Sequence, residues 1–338
     1  MDFTADQSLR MTARDAETQL LGNQKDIKRG FKRALSQWHP DVCADPKADD
    51  VFSHIISLRD RLLDKRSSPA SQGRILKTAG GRSLSVSPLV SHMVDQGEIL
   101  VNRETIATLF PSGLSDIAER EVSAPNSFKF ADAKMERQMM PFLPKVIRVE
   151  DMEGGGKLVI SRKGKEEILL ADLIARRGAM PDVHAAWLCS GLLNIAAWME
   201  YAGLVHGDIS PHSVLIDPAL HSVRLVNGWG FSTKSGSRPA ALPGRTLDIQ
   251  PRMAIKGVIA DSALDLELIR QTVREALGDP RGTSGTVKSL PGSLSSWVNM
   301  PARASAYGDY EAWQRALVAG WGVRKFADYS VRSKDIYQ

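Results

Sequence analysis

The sequence predicts an α+β protein in two parts, a short all-helical region followed by a longer region with strands first and helices later. Three observations predict it. Before residue 65 apolar residues recur only at helical spacing. From about residue 84 to 160 short alternating segments dominate, and beyond residue 182 the spacing becomes helical again. With 338 residues, 43% of them hydrophobic and 25% charged, the chain has material for one large core or two ordinary ones. The expected division is a helical domain at 1–64, a linker at 65–83 and a second domain at 84–338.

A short helix is expected at 15–21. A clearer one spans 26–38, where Phe31, Ala34, Leu35 and Trp38 form one apolar stripe. Lys28, Arg29, Lys32 and Arg33 gather on another face, and Pro40 ends the helix because proline disfavours helical geometry in the residue before it. The period returns at 50–64 with Phe52, Ile55, Ile56, Leu62 and Leu63. Residues 65–73 are small, polar and unpatterned, as a linker would be.

In the second region, 99–101 and 105–109 read as a hairpin. So do 144–149 and 158–161, around the turn Glu153-Gly154-Gly155-Gly156. A helix is expected at 182–202, with Pro181 at its start and Gly203 just past its end. Further helices are expected at 263–277 and 310–319.

The net charge of +5 comes without a long basic run interleaved with aromatics, which argues against nucleic acid as a partner. Cys43 and Cys189 stand far apart without metal-ligand spacing, so the residues predict no metal site and a reducing compartment. The first residues lack a signal-peptide pattern. The most apolar run, 168–175, contains Asp172 and is too short for a bilayer. A cytoplasmic protein without membrane association is the expectation.

The triplet His39-Pro40-Asp41 closes the basic helix and precedes a polar loop and a second helix. Together with Phe31 to Trp38, and with Phe52-Ser53-His54-Ile55 and Leu62-Leu63-Asp64, it resembles the J-domain of the DnaJ family; Arg59 departs from the pattern, where an aromatic is usual. The resemblance implies a co-chaperone that docks a DnaK-class heat-shock chaperone through His39, Pro40, Asp41, Lys28, Arg29, Lys32 and Arg33 and stimulates its ATPase. The cations would draw an acidic partner surface. The plainer reading is a helical hairpin with a solvated basic face.

The stretch His206-Gly207-Asp208-Ile209-Ser210-Pro211-His212-Ser213, followed by alternating Val214 to Val226, resembles the catalytic loop of protein kinases. The resemblance implies a bilobal fold with a strand-rich first lobe and a helical second lobe. It gives Asp208, with His206, the place of the proton-accepting base. Ser213 stands where a magnesium-holding asparagine is expected. Asn227-Gly228-Trp229-Gly230 stands where Asp-Phe-Gly is expected, with Asn227 or Gly228 at the aspartate's place according to register. Neither supplies a carboxylate.

Lys129, between Phe128 and Phe130, and Glu136 are candidates for a phosphate-binding lysine and its acidic partner, though both read equally as solvated residues. Gly97 is a candidate for the phosphate loop. Asp265 resembles the aspartate that ties down the catalytic loop, and reads equally as an ordinary helix-start acid. ATP, with or without magnesium, is the cofactor the resemblance implies; the residues themselves establish none. The reading that follows is a co-chaperone with a degenerate, pseudokinase-like lobe that binds an unknown client protein. The alternative is an atypical protein kinase or small-molecule phosphotransferase using Asp208.

Overall fold

The computed structural model describes residues 4–11, 16, 20, 27–39, 43, 45–66, 73–255, 257–283, 287, 289–323 and 327–337. They divide into two compact units, 1–71 with 90–93, and 72–89 with 94–338.

In the first unit α1 (Ala5–Arg10) begins at a capping box: Gln7 N–H donates to the Thr4 hydroxyl, and Thr4 N–H donates to the Gln7 side chain. Helices α2 (Ile27–Gln37) and α3 (Ala48–Arg66) follow. The stripe of Phe31, Ala34 and Trp38 is buried with Val51, Ile55 and Leu58, and Ala5 and Met11 belong to the same core. Each large side chain removed from water contributes about 1.5–3 kcal/mol. Lys32 and Arg33 are exposed on the opposite face. His39 is half-buried, its ring edge-on to Phe52 at 5.2 Å. Pro40, Asp41, most of 15–21 and the side chains of Lys28, Arg29, Leu62 and Leu63 lie outside the described residues.

Differences begin at the expected linker. Helix α3 continues to Arg66, and an antiparallel hairpin of β1 (Arg74–Lys77) and β2 (Ser83–Val86) occupies part of 65–83. Leu76, Leu84 and Val86 pack beside Leu100, Met152 and Leu158. Two four-residue strands around Ala79-Gly80-Gly81 are too short for their alternation to stand out from the polar composition around them.

Strands β3 (Val90–Val94), β4 (Gly97–Val101) and β5 (Thr105–Phe110) precede α4 (Ser115–Ser123) and α5 (Ala133–Met139). Then come β6 (Val146–Asp151) and β7 (Lys157–Arg162). Strands β4, β5, β7 and β6 are neighbours in that order, all antiparallel. Gly97 has a φ of +136°, and a Cβ there would collide with the Leu109 carbonyl oxygen. Its glycine is therefore required by close strand packing.

The helical part starts with β8 (Ile168–Leu169), α6 (Leu170–Arg177) and α7 (Asp182–Ala202), the last spanning its expected bounds. Short strands β9 (Leu204–Val205), β10 (Val214–Asp217), β11 (Ser222–Leu225) and β12 (Thr233–Lys234) come next. The remaining helices among the described residues are α8 (Gly244–Ile249), α9 (Ser262–Ala276), α10 (Gly292–Asn299), α11 (Ala306–Trp321) and α12 (Ser333–Ile336). Helix α7 is apolar on nearly every side and lies at the centre of the largest core, packed by α9 and α11. Gly203 ends it in the left-handed region and turns the chain into β9. Among the described residues, no helix is long and apolar enough to cross a membrane.

Candidate functional site

Strand β9 delivers His206–Ser213 to the front of the helical part, and four side chains hold that loop. Asp265, at the start of α9, accepts hydrogen bonds from the backbone N–H of His206 at 2.7 Å and of Gly207 at 2.8 Å. The Thr246 hydroxyl donates to the Gly207 carbonyl at 2.7 Å. Arg245 and Thr272 both donate to the Ile209 carbonyl, at 2.9 and 3.2 Å, and Arg245 is itself fixed by Glu275 at 2.9 Å. Asp265 thus ties the loop backbone to the start of α9, with its carboxylate buried and both oxygens engaged.

After β11, Trp229 is fully buried with the His206 ring edge-on to it at 4.6 Å. Gly228 lies against Asp208. It has a φ of +85°, and a Cβ added there would lie 2.7 Å from Asp208 Oδ2 and 2.9 Å from His206 Cε1. Restoring an aspartate by Gly228→Asp would strain the backbone and push against Asp208. Asn227 is buried, and neither atom of its amide has a hydrogen-bond partner among the described residues.

Ser213 is equally unsuited to a metal. Its hydroxyl is fully buried, accepting from Ser210 N–H at 2.9 Å and donating to the Ser210 carbonyl at 3.1 Å. Asp217, the nearest other carboxylate in sequence, caps the β10–β11 turn by accepting from Ala219 and Leu220 N–H, both at 3.1 Å. The residues at the two magnesium positions therefore do not fit a magnesium ion, which needs oxygen ligands converging at short distance.

Lys129 and Glu136 are not a buried pair. Both are exposed, and Phe128–Phe130 is irregular chain rather than a strand. Its alternation arises because Phe128 and Phe130 pack on Trp198, at 5.2 and 5.6 Å, and Phe128 also meets Trp229. The acid that reaches the site is one the sequence did not single out. Glu121, buried on α4, accepts from Gly230 N–H at 2.6 Å. Its signal was a charged residue on the apolar face of a short helix beside Ile117 and Ala118.

The electrostatics follow from crowding acids away from water. Burial pushes Glu121 up to about 7 against the lowering effect of the backbone N–H groups of Gly230, Gly228 and Trp229. Burial likewise lifts Asp265 to about 7. Asp208 is raised to about 8, chiefly by desolvation and further by Glu121 and Asp265, with Arg245 opposing. Burial drives His206 down to about 3, so its ring is neutral.

The second unit thus combines an antiparallel sheet, a helical part built on a central helix, and an aspartate loop tied to a buried helix-start carboxylate. In sequence, over 165 residues the chain is 27% identical to the carbon catabolite-derepressing protein kinase of Candida albicans. That match takes in 47% of this chain and 24% of the relative, so it spans about a quarter of the relative's length. No family model matches the chain. Among solved structures, vaccinia related kinase 3 aligns over 76% of this chain and 94% of its own, at 13% identity and a TM-score of 0.48.

Proposed function

We propose that the chain works through an atypical kinase-type module whose cleft binds a ligand or client and which does not carry out magnesium-assisted phosphoryl transfer. The observation that carries this reading is Gly228, whose missing side chain leaves no carboxylate at the metal position and whose neighbouring space is taken by Asp208. Similarity to a protein kinase supports a kinase-type role better than the co-chaperone role. A second reading, an atypical kinase or small-molecule phosphotransferase using Asp208, is favoured by the care with which Asp265, Thr246 and Arg245 hold the loop. Transfer from labelled ATP, with magnesium or manganese, separates them. Background transfer is expected for both wild type and Asp208→Asn; wild-type transfer abolished by Asp208→Asn would install the second reading.

For the first unit we propose docking to a DnaK-class chaperone, supported by exposed Lys32 and Arg33 on α2 and by His39 just past its end. The full chain should stimulate the chaperone's ATPase, and His39→Gln should remove the stimulation. Added salt should weaken it, because attraction between exposed charges is screened within about 8 Å at physiological ionic strength. Equal stimulation by the variant would end this reading.

A further inference from the structure

On the second unit, the chain from Pro125 to Pro144 borders an open groove of about 420 Å³. Its walls include the rings of Phe128 and Phe130 and the side chain of Met140. The charged groups that line it are two carboxylates, those of Asp132 and Glu136. Lys134 and Arg137, also on α5, are exposed but do not line it. The volume is roughly fourteen times a water molecule's share of the liquid, room for a side chain with its flanking backbone rather than for a lone ion.

The aromatic wall is fixed by packing behind it. Phe130 stacks on Trp198 at 5.6 Å and Phe128 meets it edge-on at 5.2 Å, while the Trp198 indole N–H donates to the Lys129 carbonyl at 3.0 Å. Both phenylalanine rings nevertheless stay half-buried, and Met140 is 44% exposed. The acids are placed by α5. Asp132 caps the helix, its Oδ1 accepting from Met135 N–H at 2.7 Å, and Glu136 follows one turn later. Among the described residues, neither Asp132 Oδ2 nor the Glu136 carboxylate has a hydrogen-bond or ion-pair partner. The helix dipole accounts for acids at a helix start. It does not account for two like charges one turn apart beside half-exposed rings, an arrangement that repels itself until a cation arrives.

We propose that this groove is a docking site for an arginine-bearing segment of a partner protein. A guanidinium matches both kinds of wall: its flat face lies against an aromatic ring, and its edge donates to carboxylates. Lysine matches them less well, because its ammonium is a compact, strongly hydrated point charge. Rings already held by Trp198 reduce the ordering that binding would otherwise require. The groove shares no lining residue with the Asp208 loop and does not rest on the kinase-type reading of the chain.

The experiment titrates the full chain with the blocked peptide acetyl-Gly-Arg-Gly-Arg-Gly-amide, reading the heat of binding and the NMR signal of the Trp198 indole N–H. The peptide should bind and shift that signal. Glu136→Gln, and Asp132→Asn, which retains a capping side chain, should each weaken binding about tenfold, the effect of one charge-assisted hydrogen bond. Both positions are exposed, so the fold should survive either change. Lysine in place of arginine in the peptide should also weaken binding. Glu119→Gln, which neutralises an exposed acid of α4 outside the groove, should leave it unchanged. No binding of the arginine peptide to the wild type, or binding unaltered by Glu136→Gln and Asp132→Asn, would overturn the proposal. Equal weakening by Glu119→Gln would overturn it too, since the peptide would then be following acidic charge in general.

Discussion

Cutting the Arg270–Asp309 pair at one end, by Asp309→Ala or by Arg270→Met, should destabilise the second unit by about 3–5 kcal/mol. Both side chains are almost wholly withdrawn from water, at 2% and 0% exposure. Two parallel hydrogen bonds join them, Nη1 to Oδ2 at 2.6 Å and Nη2 to Oδ1 at 2.8 Å. The guanidinium also lies 4.1 Å from the Trp297 ring centroid and donates to the Trp297 and Leu266 carbonyls. The pair therefore ties α9 to α10 and α11 in the core. Either single change strands a charge where nothing can solvate it. Replacing both residues together with apolar ones of similar volume should cost far less, because neither desolvation penalty then remains. Urea denaturation of the singles and the double provides the check. A double variant as unstable as the sum of the singles would show that the pair matters through something other than its charges.

The second large effect should come from Asp265. Asp265→Ala leaves the N–H groups of His206 and Gly207 buried without acceptors, at about 1–3 kcal/mol each, so a loss of about 2–6 kcal/mol is expected. The loop bearing Asp208 should loosen with it, visible as faster amide exchange at 206–209. Asp265→Asn keeps one carbonyl acceptor and should lose less. There is also a pH signature. The native carboxyl titrates near 7, well above the ordinary 3.8 of an unfolded aspartate, because burial disfavours the charge. Between these values the folded state keeps a proton that the unfolded state has released. The contribution of this group to stability is therefore complete below about 4, declines as pH rises, and is gone above about 7. Asp265→Asn should remove its part of that slope, and a slope identical to that of the wild type would refute the shift.

The two units differ in how much of them local patterning revealed. Helices α2, α3, α7, α9 and α11 were visible because each keeps a long apolar period, and tertiary contacts only moved their ends by a few residues. The hairpin β1–β2 was not visible, since four-residue strands carry too few alternations to outweigh polar composition. Lys129 and Glu136 misled for a related reason: alternation at Phe128 and Phe130 reports ring packing on Trp198 as readily as it reports a strand.

By itself the sequence determined the order of strands and helices, the loop from His206 to Ser213 and the loss of a carboxylate after β11. These are matters of residue identity and short-range spacing. Only the tertiary structure decided the rest. That Gly228 lies against Asp208, and that Glu121 reaches Gly230, 109 residues away, depended on packing. The place of Tyr337 depended on its hydroxyl meeting Leu169 N–H across 168 residues. Spacing along a chain reports which face of one element is apolar. It does not report which distant backbone donor a buried carboxylate or hydroxyl will find, because that choice is made by the packing that excludes water from both.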